Sequence, residues 1–511
     1  FKGKVRINES SLIAYLLVGG FFCFVSNVGY ATVAGKGQIV YNSTGKEEGE
    51  GLAINCAQAL GNSQTIAIGG NNHNDSNGNG NAIAKGGGSI AVGGNSRTEG
   101  KTAVAVGWHA EAKGENGTAY GESTVAAKDS VAIGSKAKAA ENSTLGNAVA
   151  VGVEAEAKEG ATALGAKSKS LGTNSIALGL EAEAKQNESI AIGHTAKADE
   201  LHAISMGYKA NAKSQNGISI GAETVADGQN SIVIGKGSKT SELTDEDGIG
   251  LAKKPRDASV VIGVDSVSKN QYTITMGHRA QTLGQDSFAF GNESKARKDR
   301  AIAFGDHTIA NGENSMAFGS KAGAYTVNTL AFGAGAQAKE SQAISIGNKA
   351  HSNGENSISI GTTSLVGKVG QYGMSTGEKI VKNGTAIGSF SNVEVDGGVA
   401  LGAKSKADRV MDASNVYLGS DKSVKNTVKG SLAAVSVGNS NETRQIVNVA
   451  AGAQDTDAVN VAQLKTVDEK VEKGLNFAAN HGDVYNAKLG KTVAIKGNDT
   501  VSKEDAESKY D

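Results

Sequence analysis

Cysteine, proline and aromatic residues are nearly absent from this sequence. Of 511 residues two are cysteine, one is proline (Pro255) and one is tryptophan (Trp108), and aromatics make up 5%. Cys23 lies in a leading apolar stretch, so Cys56 stands alone in the rest of the chain and cannot close an intrachain disulfide. It reads as a small buried hydrophobe, and a bridge between chains requires it to sit beside a symmetry axis. A conventional core of this size uses many Phe, Trp and Tyr, which bury the most area per residue. Their scarcity excludes one thick globule. An excess of one charge is also lacking: 51 basic residues face 52 acidic ones. That balance removes the electrostatic footprint of a nucleic-acid binder. The charge runs are short and mixed, as on solvated faces.

Long apolar runs are confined to the start. Lys2, Lys4 and Arg6 precede the run Leu12–Val25, and Gly29, Tyr30 and Ala31 follow it. This is the layout of a secretory signal over residues 1–31, with cleavage expected between Ala31 and Thr32. The uninterrupted run is shorter than the ~20 residues that span a bilayer. The chain starts at Phe1, so the signal is expected to be incomplete at its N-terminus.

What is abundant is glycine, at 70 residues, and it is periodic. A small polar residue, then apolar-small-apolar-Gly, recurs as SVAIG ending at Gly134, SIALG at Gly179, SIAIG at Gly193 and SISIG at Gly361. From Gly165 to Gly235 these glycines are 14 apart, and from Gly263 to Gly361 the same step holds seven times running. The 28-residue gap from Gly235 to Gly263 keeps the register across an irregular stretch. Such a period marks a solenoid. Each repeat holds two pieces that alternate with period two: Ile-Ala-Ile-Gly, and Ala-x-Ala-x as in Ala182-Glu183-Ala184-Lys185. Fourteen residues therefore make one coil of two short strands and two tight turns, with glycine where the chain turns without a Cβ penalty. The expected fold is all-β, a parallel β-roll of some 24 coils between Gly69 and Gly438. At ~4.8 Å per coil it is a rod on the order of 115 Å long. The expected interior holds two branched residues and a few alanines per coil. A broad small-residue face is expected to pack against identical copies, since one narrow roll buries too little to be stable alone. Hexapeptide solenoids and GGxGxD calcium repeats fail on period, and the Gly/Asn-rich stretch 73–88 reads as a loop.

With these repeats in view, the chain resembles the heads of trimeric autotransporter adhesins, the YadA-like group. Their NSxAIGxxAxA repeats are matched by Asn174 to Gly179 and by the segments starting at Asn230, Asn314 and Asn356. The segment RQIVNVAAGAQDTDAVNVAQL, Arg444 to Leu464, is similar to that family's neck, which carries three chains from the roll into a coiled coil. Within it Arg444, Gln445, Ile446, Val449, Asp457, Val459, Asn460, Gln463 and Leu464 are the expected trimer-neck residues. The resemblance implies a left-handed, trimeric roll and supplies the number three. The implied order is a signal at 1–31, a lead-in at 32–61, and the roll at 62–439 with irregular segments at 236–259 and 362–382. A neck at 440–464, a coiled-coil start at 465–473 and a stalk connector at 474–511 follow. Leu464, Val467 and Val471 carry the 3–4 spacing of a coiled coil, which Gly474 interrupts. The family's C-terminal membrane barrel is not legible after Asp457. The chain is expected to be a truncated piece whose outer-membrane anchoring is implied by the resemblance alone.

Chemistry is not legible. The eight histidines are scattered over separate coils, and no zinc spacing, phosphate loop or nucleophile elbow occurs. No enzyme, metal or cofactor is expected. Binding by an extended surface remains, and the resemblance implies attachment to a host receptor or a matrix protein such as collagen, fibronectin or laminin. A structural spacer or self-agglutinating fibre is the other reading. Candidate contacts are Asn174, Ser175, Asn230, Ser231, Asn314, Ser315, Asn356 and Ser357, although Asn-Ser before a strand is also good turn chemistry. Leu365, Val366, Tyr372 and Met374 form a second candidate patch where the regular coil is expected to be lost.

Overall fold

The computed structural model describes residues 39–43, 50–54, 57–61, 64–69, 80–141, 143, 145–241, 257–367, 380–412, 414, 416–478 and 482–494. The signal region with Ala31 and Thr32, Cys56, Tyr372, Met374 and the polar C-terminal run lie outside them.

Each 14-residue period folds as one coil of two strands, and the coils stack in parallel. Three-residue strands such as Ile176–Leu178, Ile190–Ile192 and Ile204–Met206 pair in register, Ile176 with Ile190 and Ile190 with Ile204. Two-residue strands such as Glu183–Ala184 and Lys197–Ala198 form the second ladder. Among the described residues the first sheet holds 25 strands and the second 23. The parallel stack begins upstream of residue 62, with Glu50–Ile54 paired to Ile66–Ile68, and the antiparallel strand Ile39–Ser43 covers that end. At the other end the chain leaves the ladder after Lys406–Ala407, forms the short helix Lys422–Thr427, and returns as Val435–Ser436 beside Val399 and Ala400.

The interior differs from the expected one. In the coil that starts at Ser175, the inward side chains are Ser175, Ala177, Ala182 and Ala184, all essentially inaccessible, while Ile176 and Leu178 point outward and are half-buried. Branched residues therefore do not fill the coil. Strands this short, joined by turns this tight, leave a slot for methyl and hydroxymethyl groups only. Facing sheets with larger side chains stand ~10 Å apart. The small-residue face packs within its own chain, and the face left over is the branched one.

The exceptions show the same constraint. Val233 and Val261 point inward on adjacent coils, and Val366, Val381 and Val393 form a second buried group. There the opposing positions shrink: a Cβ on Gly384 would lie 2.6 Å from Val366 Cγ1 and 3.2 Å from Val393 Cγ1. Both groups flank breaks in the repeat. Those breaks are narrower than expected, because Lys239–Thr240 and Leu365–Val366 are regular second-sheet strands.

The turns explain the punctuation. Gly179 has φ 131° and Gly193 φ 129°, and a Cβ on Gly179 would sit 2.6 Å from the Gly193 carbonyl oxygen. A side chain is excluded twice over, by conformation and by the coil above. The second turn of each coil places one residue in the left-handed region, such as Asn174 at φ 55°. Buried hydroxyls close on the turns: Ser175 Oγ donates to the Gly172 carbonyl at 2.6 Å. Many hydroxyls in this thin core are thus satisfied locally, although Ser205 Oγ and Thr65 Oγ1 are buried without a hydrogen-bond partner.

Candidate binding surface

The Asn-Ser pairs divide between surface and interior. Asn174, Asn230 and Asn356 are exposed and Asn314 half-buried, all four with left-handed backbone. Their amides run along the rod: Asn216 Nδ2 donates to Asn230 Oδ1 at 2.9 Å, Asn314 Nδ2 to Asn328 Oδ1 at 3.2 Å, and Asn356 Nδ2 to Asn383 Oδ1 at 3.4 Å. Ser175, Ser231, Ser315 and Ser357 are instead buried at 1% exposure or less. They have no surface to offer a ligand, because the strand alternation that follows the turn sends each one into the core. Leu365 is half-exposed on the outer side of the second sheet, whereas Val366 is in the core, also against expectation.

The two outer faces have opposite chemistry. The first sheet presents two columns of Ile, Val, Leu, Met and Phe over nearly its whole length. Phe290, Phe304, Phe318 and Phe332 stack on successive coils, with ring centroids 4.7, 6.0 and 5.8 Å apart, and Phe332 is 54% exposed. An apolar surface of this extent on a soluble rod marks an interface. The second sheet presents charge in the middle of its Ala-x-Ala strands, as at Lys138, Glu156, Lys169, Glu183 and Lys197. The sequence carried a signal for this division. The position that holds alanine in most repeats, and Ser, Thr or Val in the others, is the inward one, and the variable x faces solvent.

At one corner the turns form a continuous polar network. His278 Nδ1 meets Asn292 Oδ1 at 2.9 Å, and Asn292 Nδ2 donates to Asp306 Oδ1 at 2.8 Å. His307 lies 2.9 Å from Asp306 and 3.4 Å from Glu293. The amide of Asn292 and the His307 ring hold the Asp306 carboxyl below the usual range. Two histidines from coils two apart thus share one network. Among the described residues, no three His, Cys, Asp or Glu side chains are grouped to hold a metal ion.

At the neck, the expected residues divide into hinges and apolar surface. Arg444 closes the end of the roll, donating from Nη1 to the Val437 carbonyl at 2.5 Å and to Ser405 Oγ at 3.1 Å, and from Nη2 to the Ala403 carbonyl. Asp457 accepts from the backbone amides of Ala453 and Gln454, which lowers its pKa. Asn460 caps the helix Val461–Lys473 in a reciprocal box with Gln463 and donates to the Val449 carbonyl at 3.1 Å. Gln445 is exposed. So are Ile446, Val459 and Leu464, with Val467 and Val471 continuing along the helix. The helix ends at Gly474, φ 61°, and the hairpin Leu475–Phe477 with Tyr485–Ala487 follows. No helix among the described residues is long and apolar enough to cross a membrane.

Nine stretches between residues 84 and 405 match the family described as the YadA head domain repeat, and residues 445–487 match the coiled stalk of trimeric autotransporter adhesin. The chain belongs to the YadA-like trimeric autotransporter adhesins. Among its relatives is the autotransporter adhesin EhaG of Escherichia coli O157:H7, 38% identical over 98 residues, which are 19% of this chain and 6% of EhaG. The autotransporter adhesin BadA of Bartonella henselae is 41% identical over 100 residues, 19% of this chain and 3% of BadA. The match thus spans a small fraction of either relative's length. The crystal structure of the collagen-binding domain of the Yersinia adhesin YadA aligns over 51% of this chain and 87% of its own, at 22% identity and a TM-score of 0.19. The stalk match begins at Gln445 and takes in the neck loops, the helix and the hairpin, so the adhesin's roll and stalk meet at Arg444.

Proposed function

We propose that this chain is the head of a homotrimeric surface adhesin that attaches a bacterium to a host receptor or to extracellular matrix. In this reading the branched face of the first sheet packs around the three-fold axis, and the second sheet and the turn corners face outward. The observation that carries it is the segregation of the two faces: two apolar columns on one sheet, charge on the other. The exposed apolar residues of the neck helix add a second apolar surface beyond the end of the roll. Attachment is proposed through the outward turns, with Asn174, Asn230, Asn314 and Asn356 as the contacts left once the buried serines are set aside. Export to the outer membrane follows from the family's architecture.

The test is the mass of the purified chain by light scattering, followed by binding of the trimer to immobilised collagen, fibronectin, laminin and epithelial receptor ectodomains. Saturable binding that weakens when the four asparagines are replaced by glycine is the expected result. Glycine keeps the left-handed turns. A stable monomer sinks the architecture, and a trimer that binds nothing reduces the head to a spacer.

A further inference from the structure

The outward row of the second sheet changes character beyond Lys295. Its strand residues Ile309, Gly323, Gln337, His351 and Leu365 pair in register on consecutive coils and include no Lys, Arg, Asp or Glu. Of the 23 described strands in this sheet, only Gly323–Ala324 has glycine at the outward position. Only there is the residue after the strand aromatic, Tyr325. The ring lies across the glycine: a Cβ on Gly323 would be 2.5 Å from Cε2, Cζ and Oη of Tyr325. Gly323 is buried beneath it, and Tyr325 itself is half-buried. Among the described residues the Tyr325 hydroxyl has no hydrogen-bond partner, and burial raises its pKa, so it stays a protonated donor. The row neighbours Ile309 and Gln337 are half-buried too, and the Gln337 side-chain amide is likewise unpaired among the described residues.

Shielding a bare glycine is the ordinary role of such a ring in a sheet. It explains Tyr325 once Gly323 is given, and leaves the glycine itself unexplained. Gly323 does not take the left-handed backbone, and the atoms nearest its Cβ position all belong to the Tyr325 ring. Glycine inside a strand weakens it and marks a place of close approach. What it achieves here is a flat floor. With no Cβ in the way, the ring lies down on the sheet, one face against the backbone and the other toward solvent.

We propose that Tyr325, lying on Gly323, is a carbohydrate platform that takes a neutral hexose of a host-surface glycan, with Gln337 as the second polar contact. The surroundings select this partner. Both edges of the strand are paired to neighbouring coils, so no peptide can add a strand there. A proline-rich segment docks in a groove lined by several aromatics, and this row has one. A charged polymer finds no opposite charge in the row. A pyranose meets what is present: its axial C–H groups lie on the negative face of the aromatic ring. Its hydroxyls then reach the phenol and the Gln337 amide at the rim. One platform holds weakly, and the three copies of a trimer let a branched or repeated glycan engage together. The proposal rests on the host-attachment reading and on the second sheet facing outward in the trimer.

The test is retention of the purified chain on columns of agarose, dextran and mannan, which present galactose, glucose and mannose without charge. Delay is expected on at least one column, reversed by the matching free sugar and unchanged in molar salt, which screens charge and not stacking. Tyr325→Ala is expected to cut the delay about tenfold, and Gly323→Gln to do the same by lifting the ring. Tyr325→Trp keeps a flat face and is expected to keep the delay. Both positions face outward, so the β signal and the scattering mass of each variant should match wild type. No delay on any column overturns the proposal. So does a Tyr325→Ala chain delayed like wild type, or a delay reversed by a proline-rich peptide and not by sugar. Binding to fibronectin is read alongside. A chain that holds fibronectin but ignores all three polysaccharides loses the platform and keeps the attachment reading. A chain delayed on sugar that binds no receptor or matrix protein keeps the platform and loses the asparagine contacts.

Discussion

The side-chain amide of Gln463 makes two hydrogen bonds to the backbone of Gly452, 3.0 Å from the Gly452 N–H to Oε1 and 3.0 Å from Nε2 to the Gly452 carbonyl, while Oε1 also accepts from the Asn460 N–H at 3.3 Å. It binds that residue as a neighbouring strand would. A loop from the end of the roll is thereby fixed to the first turn of the helix that starts the stalk.

Gln463→Ala is expected to leave three partly buried backbone groups of the neck unpaired, two on Gly452 and one on Asn460, at about 1–3 kcal/mol for each group that loses its partner. Thermal unfolding followed by the helix signal should shift downward while the β signal of the roll stays in place. Simultaneous loss of both signals argues against a separable hinge.

Gly179→Ala tests the turn. The added Cβ meets the Gly193 carbonyl and the residue keeps a φ of 131°. The cost should exceed the ~1 kcal/mol by which glycine-to-alanine changes stabilise a chain at permissive sites. Limited proteolysis should open the roll near residue 179. Leu180→Ala, at the exposed neighbouring position, should leave the digestion pattern unchanged.

Opposite faces of the first sheet should respond oppositely. Ala177→Leu overfills the slot and is expected to cost ~1–3 kcal/mol or more of roll stability. Phe304→Asp, on the outward column, should leave the roll's circular dichroism intact and lower the scattering mass, because it places a charge in the apolar interface. A Phe304→Asp chain that stays trimeric at low concentration contradicts the assignment of that face.

Acid should loosen the neck. Backbone amides hold Asp457 below its ordinary pKa, so its contribution is complete above about pH 3.9, the unfolded value. It is lost as pH falls through the lower folded value. Titration of the helix signal below pH 4 should show this loss, and Asp457→Asn should flatten it. The Asp306 corner has the same sign.

Much of the fold was legible because the period is enforced at every coil. A glycine every 14 residues, a small inward residue and a left-handed turn position are local requirements of one stacked coil, and each coil imposes them again. The neck was legible through resemblance, and the bonds of Arg444, Asp457, Asn460 and Gln463 give the reason: each side chain satisfies backbone groups where the chain changes architecture.

The candidate contacts were legible only by half. Strand alternation says that residues one apart take opposite sides, but not which side is the inside. The expectation that Ile and Val fill the core follows the usual ordering of burial, and it inverted here because the coil is too thin for them. That inversion buried Ser175, and it moved the proposed trimer face from alanine to the branched residues.

The sequence by itself determined the 14-residue period and the turn positions, because these are set by covalent geometry and by each residue's immediate neighbours. Only the tertiary structure decided which face is inside, which charges stack and which serines are hidden. Those depend on the distance between two sheets, and no residue carries that distance alone.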